Sequence, residues 1–181
     1  MPRPPDPDLP GRILAAADSL WRESGDDGVT IRGVAARAKT TTPTVYAHFA
    51  DRAALMTALR DRAWARFLAE MAQSRSIEDG CARYIGFAER QPHDYELLYG
   101  RGWRDRAPED ARVVEIGGFE KLLVNAGVER RRTHGTALAI IMLLHGTAMS
   151  RLANPVEASW WNDARRACLS ACRTLIRDAS V

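Results

Sequence analysis

The chain has 181 residues, of which 46% are apolar, and a formal net charge of +3. This length and apolar content suffice for one ordinary domain, or for a small domain joined to a medium one, and they exclude a disordered chain. No run of about 18 uninterrupted apolar residues occurs, and the N-terminus is rich in Pro and Asp, so we expect no membrane span and no signal peptide.

Residues 1–10 contain five prolines and two aspartates and are expected to form a disordered arm. A helix is predicted from about Gly11 to Ser24, because apolar residues recur there at helical spacing. Two glycines and two aspartates then predict a turn over residues 25–29. We place the first domain at residues 11–55.

Residues 30–55 predict two short helices joined by a tight turn, and then the start of a third helix. Thr30 is a good N-cap for the first helix, and Thr41 or Thr42 for the second, which has Pro43 in its first turn. The second helix has only about two turns and cannot be stable alone, because helix nucleation is costly. A neighbour must hold it, which leaves its polar face available. A short, hydroxyl-rich second helix is typical of a recognition helix in a DNA major groove.

The distribution of charge agrees with this interpretation. Residues 28–66 hold seven basic and two acidic side chains, whereas residues 1–27 hold three basic and six acidic ones. A local basic excess is what contact with a phosphate backbone requires. A solvated basic face is the alternative.

The remaining elements are also helical. A longer helix is predicted from residues 50–51 to about residue 74, linking the first domain to a second at residues 76–181. Further helices are predicted at about 76–90, from Pro92, from 108 to about 127, at 129–153 and at 156–178. The middle of the 129–153 helix carries no charge unless His145 is protonated, so we expect it to be buried on all sides. No strand is convincing, and the fold class is all-α, with about nine helices.

The last predicted helix contains a narrow seam with 3, 4, 3, 4 spacing. This period is typical of helix-against-helix packing, either within the chain or against a partner. The seam consists of Trp161, Ala164, Cys168, Ala171 and Leu175.

Catalytic and metal-binding signatures are absent from the sequence. We find no phosphate-cradling glycine loop, no HExxH and no GxSxG motif, so we do not expect an enzyme. The three cysteines, Cys81, Cys168 and Cys172, have neither CxxC nor Cys/His metal spacing, and we expect reduced core thiols in a cytoplasmic protein. No metal and no cofactor are expected.

The helix-turn-helix segment contains Val34-Ala35-Ala36-Arg37-Ala38, Thr44-Val45-Tyr46-Ala47-His48-Phe49 and Arg52-Ala53-Ala54-Leu55. With these residues it resembles the TetR family of transcriptional regulators. The family typically shows a Val-Ala-x-x-Ala-Gly-Val-Ser helix and turn, then Thr-hydrophobic-Tyr-x-His-Phe, then Lys-x-x-Leu. Lys39 replaces the turn glycine of that pattern, and a lysine in a left-handed conformation would cost about 1 kcal/mol.

The resemblance implies a bacterial, homodimeric repressor that binds double-stranded, palindromic operator DNA and is released by a small-molecule effector. Base or phosphate contacts would come from Thr41, Thr42, Pro43, Thr44 and Tyr46, and backbone contacts from Thr30, Lys39, His48 and Arg52. For Tyr46 a ring packed in the core is an equally open interpretation. The last two helices would pair into a four-helix bundle, with the seam in the dimer interface.

A ligand pocket in the second domain is the least constrained of these expectations. Its candidates are aromatic or soft residues on helices expected to converge, and they suit a largely apolar ligand. Ordinary core packing is the alternative for each. The candidates are Tyr84, Phe87, Tyr99, Trp103, Phe119, Met142, His145 and Met149. A DNA-binding regulator without any small-molecule effector, either protein-responsive or architectural, remains the alternative function.

Overall fold

The computed structural model describes residues 8–100, 109–153 and 157–180, without the side chains of 109–112. Within these ranges the chain forms nine α-helices and no strand, which confirms the predicted all-α fold. The helices are α1 Leu9–Gly28, α2 Ile31–Arg37, α3 Thr42–His48, α4 Arg52–Met71, α5 Ile77–Arg90, α6 Pro92–Tyr99, α7 Glu109–Asn125, α8 Arg130–Ala153 and α9 Ala158–Ala179.

Helix α1 is longer than the sequence predicted at both ends. It begins at Leu9 because Pro10 stands in its first turn, where a missing amide hydrogen costs nothing. Residues 9 and 10 are therefore helical and not part of the predicted arm, whose residues 1–7 lie outside the described ranges. Gly25 interrupts the helix with φ 64° and ψ −153°, a conformation that glycine adopts without a side-chain clash.

The chain divides into two compact units, Met1–Ala63 and Trp64–Val181, with the division inside α4. In the first unit α2 packs against both α1 and α3. Ile13, Val34 and Val45 are fully buried there, one from each of the three helices. This packing supplies the neighbour that the short α3 requires.

In the second unit α5 lies at the centre and packs against α6, α7, α8 and α9. Aromatic rings meet edge-on around Phe67, whose centroid lies 5.4 Å from that of Tyr84 and 5.2 Å from that of Phe87. The Arg66 guanidinium donates two hydrogen bonds of 2.7 Å to Asp94, which is fully buried at the start of α6. Bidentate pairs of this kind fix both position and orientation.

Helix α8 is not buried on all sides, contrary to the prediction from the sequence. By length and composition α8 could span a membrane, a test that core helices of soluble proteins also pass. Only 28% of its 18-residue apolar stretch is buried in the structure. The described helices cover it on one side only, through α5, α7 and α9. Met142 is 57% exposed on the other side, together with Gly135, Ala139 and Gly146.

Candidate functional site

The helix-turn-helix is held by its own hydroxyl caps. Thr30 Oγ1 accepts a hydrogen bond of 3.0 Å from Gly33 N at the start of α2. Thr41 Oγ1 accepts one of 3.3 Å from Thr44 N at the start of α3, and lies 2.8 Å from Thr44 Oγ1. Thr41, of the two residues considered, is therefore the N-cap, and each cap satisfies an amide that the helix cannot pair.

The turn between α2 and α3 places Lys39 in the left-handed region, with φ 55°. Lys39 N donates to Ala36 O at 3.2 Å and Thr40 N to Ala35 O at 2.9 Å. This is the Schellman pattern of helix termination, in which the left-handed position is usually glycine. Helix α7 ends with the same two bonds around Gly127, whose φ is 88°. The lysine therefore occupies a glycine conformation, as expected.

Helix α3 has one buried face and one solvent face. Val45 is fully buried, whereas Tyr46 is 53% exposed, so the Tyr46 ring does not belong to the core of the described chain. Phe49 is half-buried. All nine predicted DNA-contacting residues lie in the first unit and are exposed or half-exposed: Thr30, Lys39, Thr41, Pro43, Tyr46 and His48 are exposed, and Thr42, Thr44 and Arg52 half-exposed.

Arg52 has contacts that the sequence did not reveal. Its Nε donates to Val29 O at 2.7 Å, and its Nη2 donates to Asp26 O at 2.5 Å and Asp26 Oδ1 at 2.9 Å. The guanidinium thus ties the start of α4 to the end of α1. Any phosphate contact from Arg52 would have to come from its remaining N–H groups.

A second cation of this unit, Arg37, is paired in the same way. Its Nη1 and Nη2 donate to the two carboxylate oxygens of Glu23 at 2.6 Å and 2.8 Å. Hydrogen bonds from Arg37 and then Ser19 lower the pKa of Glu23 from 4.5 to about 2. The cation therefore stabilises the α1–α2 contact.

The structure distributes the predicted ligand residues over different places. Tyr84, Tyr99, Met142 and His145 line a cavity of about 60 Å³ in the second unit. Phe119 lines another cavity. Phe87 packs against Phe67, and Met149 is half-exposed without lining either cavity. Trp103 lies outside the described residues.

The other cavity has a volume of about 590 Å³, which is within the range of small-molecule sites. The sequence did not predict it, because its walls come from the end of α4, the residues that follow and α7. They are Phe67, Leu68, Met71, Ala72, Ser74, Arg75, Val114, Glu115, Gly118, Phe119, Lys121, Leu122 and Asn125.

Glu115 is the polar residue that sequence reasoning missed, although a lone acid between Val114 and Ile116 was a visible signal. It is 7% exposed and lines both cavities. Tyr99 Oη donates a hydrogen bond of 3.0 Å to Glu115 Oε1. Burial raises the pKa of Glu115 from 4.5 to about 7, against hydrogen bonds from Tyr99 and Tyr84 that lower it. Burial also lowers the pKa of His145, which is hydrogen-bonded to Tyr95 at 2.8 Å.

The predicted dimer seam lies on α9 partly against its own chain. Trp161 and Cys168 are buried there, and Trp161 Nε1 donates to Glu89 Oε1 at 2.5 Å. Ala164 and Leu175 are half-exposed and Ala171 is exposed. The inward face continues through Cys172 and Ile176, so Ala171 is the one residue of the seam that is fully on the exposed face of α9 among the described residues. Cys81, Cys168 and Cys172 are all buried free thiols.

Comparison with known proteins places the geometry in a wider context. The model of the bacterial regulatory proteins of the tetR family matches residues 13–59. A transcriptional regulator from Rhodococcus sp. Rha1 has a similar structure, with a TM-score of 0.79 and 18% identity over 95% of this chain and 98% of that one. A TetR-family regulator from Streptomyces coelicolor follows with a TM-score of 0.73 and 17% identity over 96% and 97% of the two chains.

A third similar structure is a TetR variant from Acinetobacter baumannii AYE in complex with minocycline, with a TM-score of 0.65 and 20% identity over 93% of this chain and 94% of that one. At these identities the structural likeness establishes the fold alone. No curated protein matches the sequence.

The exposed helix-turn-helix and the all-α fold define a DNA-binding transcriptional regulator. The helix caps and the turn within residues 30–49 are the structural features that indicate this class of protein. Residues 13–59 match the TetR family of bacterial regulatory proteins, and the whole chain shares its fold with a TetR-family transcriptional regulator.

Proposed function

We propose that the protein is a cytoplasmic bacterial repressor that binds a palindromic operator as a homodimer and leaves it when a small ligand binds. The DNA-binding part of this proposal rests on the orientation of α3, which buries Val45 and exposes Tyr46 to solvent. Thr42 and Tyr46 are four residues apart and therefore share one face of the helix. Hydroxyls on that face are suited to base edges, while Lys39 supplies a cation for phosphate.

The chain offers a matched test of the phosphate contact. Lys39 and Lys121 are its two lysines, and they lie in different units. We expect Lys39→Ala to weaken binding to all duplex DNA and to lower the salt slope by about 1 per protomer, because one phosphate contact per protomer is lost. Lys121→Ala should leave both unchanged. An equal effect of both substitutions would contradict the proposed orientation of α3.

The proposed dimer is supported by apolar surface that the described helices leave uncovered. The exposed side of α8 is a stripe of Gly135, Ala139, Met142 and Gly146, and small residues allow helices to approach closely. Ala171 and its exposed neighbours on α9 form a second small-residue face. We propose that these faces, rather than Trp161 and Cys168, meet across the two-fold axis.

Sedimentation velocity tests this interface. Ala139→Glu or Ala171→Glu would bury a charge in the proposed dimer, and we expect each to produce monomers that remain helical. Ala53→Glu, at an exposed alanine of α4, is the control and should stay dimeric. A wild type that sediments as a monomer, or charged variants that remain dimers, would refute the interface.

Ligand release is supported by the cavity of about 590 Å³ in the second unit, whose walls include the end of α4. Since α4 belongs to both units, we propose that a ligand acts on the DNA-binding unit through this helix. The ligand would lower operator affinity by the difference between its affinities for the two forms.

Native mass spectrometry and operator binding in the presence of a metabolite panel test ligand release. A bound compound that also raises the melting temperature and lowers operator affinity supports the sensor. Operator binding that no compound alters would favour the alternative regulator without a small-molecule effector.

A further inference from the structure

Glu115 is a buried carboxylate without a cationic partner in the part of the chain that the structure describes. Among the described residues the hydroxyl of Tyr99 donates to it, and it forms no ion pair there. A buried carboxylate that lacks a counter-charge is costly, so it is either neutral or waits for a partner. Glu115 therefore differs from Asp94, which has a bidentate arginine.

The carboxylate is placed where a ligand could reach it. Glu115 belongs to the walls of both the cavity of about 590 Å³ and the cavity of about 60 Å³. The larger volume suits the body of a small organic molecule, and the smaller one has room for little more than a head group. Ser74 Oγ, on a residue lining the larger cavity, is buried without a hydrogen-bond partner among the described residues and offers a second acceptor.

Aromatic rings surround the same position. Phe67 and Phe119 line the larger cavity, Tyr84 and Tyr99 the smaller one, and the centroids of Tyr84 and Phe119 are 6.3 Å apart. Ring faces attract cations, most strongly where water is excluded. An acid among rings is thus suited to a positively charged nitrogen.

We propose that this site binds a small organic cation, an ammonium with an apolar or aromatic body, whose nitrogen pairs with Glu115 while its body fills the larger cavity. The inference rests on the ligand-responsive function proposed above and names its ligand class.

The charged groups around the site decide between a cation and an anion. Tyr99 of α6 donates a hydrogen bond of 3.0 Å to the carboxylate, and Tyr84 of α5 and His145 of α8 line the smaller cavity with it. Arg75 and Lys121 line the larger cavity, but both are exposed and keep their hydration. An anion would gain little from such solvated partners. A cation would instead relieve the carboxylate that has lost its water.

Three compounds with one body and different head groups test the proposal: phenylbutylamine, phenylbutanol and phenylbutyrate, titrated by calorimetry. At about pH 8 we expect the amine to bind at least about tenfold more tightly than the alcohol. Below about pH 7 amine affinity should fall about tenfold per pH unit as Glu115 takes up a proton.

Glu115→Gln keeps the shape of the side chain and should reduce amine affinity to that of the alcohol, without a pH dependence. Its retained affinity for the alcohol also demonstrates that the variant is folded. Glu120→Gln, at a half-exposed acid of the same helix, is the control and should behave as wild type.

Equal affinity for all three compounds would overturn the cation site while leaving ligand sensing intact. The cation site would also be overturned if phenylbutyrate bound most tightly of the three and lost that affinity in Lys121→Ala. Failure of all three compounds to bind at millimolar concentration would also overturn the cation site. Operator binding in the presence of the metabolite panel would still test the repressor function separately.

Discussion

Lys39 provides a test of backbone strain in the helix-turn-helix. It holds φ 55° in a Schellman turn whose counterpart after α7 has Gly127 at φ 88°. A left-handed conformation costs a residue with a Cβ about 1–2 kcal/mol, and glycine loses about 0.5–1 kcal/mol more backbone entropy on folding. Lys39→Gly should therefore stabilise the protein by about 0.5–1 kcal/mol.

Urea unfolding followed by circular dichroism measures this difference, and the melting temperature should rise by about 1–4 °C. Lys39→Ala keeps the Cβ and should produce no such gain, so the pair separates strain from charge. Ala36→Gly, at an exposed position inside α2, should destabilise by about 1 kcal/mol. A Lys39→Gly variant no more stable than Lys39→Ala would refute the strain argument.

Three further substitutions test contacts in the two units. Arg66→Ala should destabilise the second unit by about 3–5 kcal/mol in urea unfolding, because it removes the bidentate arginine that compensates the buried charge of Asp94. Arg52→Lys loses the fork of hydrogen bonds to the end of α1 and should cost about 1 kcal/mol, whereas Arg62→Lys on the same helix should cost nothing measurable. Glu115→Gln should alter the pH dependence of stability: as pH rises from about 4.5 to about 7 the unfolded wild type loses this proton first, so wild-type stability should fall by about 3 kcal/mol relative to the variant, and parallel curves would contradict the raised pKa.

The helices and the helix-turn-helix could be predicted from the sequence because the signals that specify them are local. Thr30 and Thr41 cap helices through amides three residues further on, and Gly127 ends α7 two residues beyond its last helical residue. Such contacts follow from short-range spacing alone. The conformation of Lys39 was predictable for the same reason.

The second unit was less predictable because its site depends on contacts between distant residues. Arg66 and Asp94 are 28 positions apart, and Tyr99 reaches Glu115 across 16. Periodicity identifies an apolar face but does not say whether another part of the chain or a second copy covers it. This is why α8 was expected to be buried on all sides, and why the seam that contains Trp161 was expected in a dimer interface although Trp161 packs against its own chain.

The most direct test of the central claim, that α3 reads DNA sequence, is a specificity ratio measured by fluorescence anisotropy. The protein is titrated with its own upstream intergenic DNA and with the same fragment after scrambling, at one fixed salt concentration. We expect wild type to prefer the native fragment by about 10³ or more, and Thr42→Ala and Tyr46→Phe to lower that ratio by about tenfold each while affinity for the scrambled fragment stays constant. A ratio near one for wild type, or a ratio that neither substitution changes, would contradict the assignment of α3 as the recognition helix.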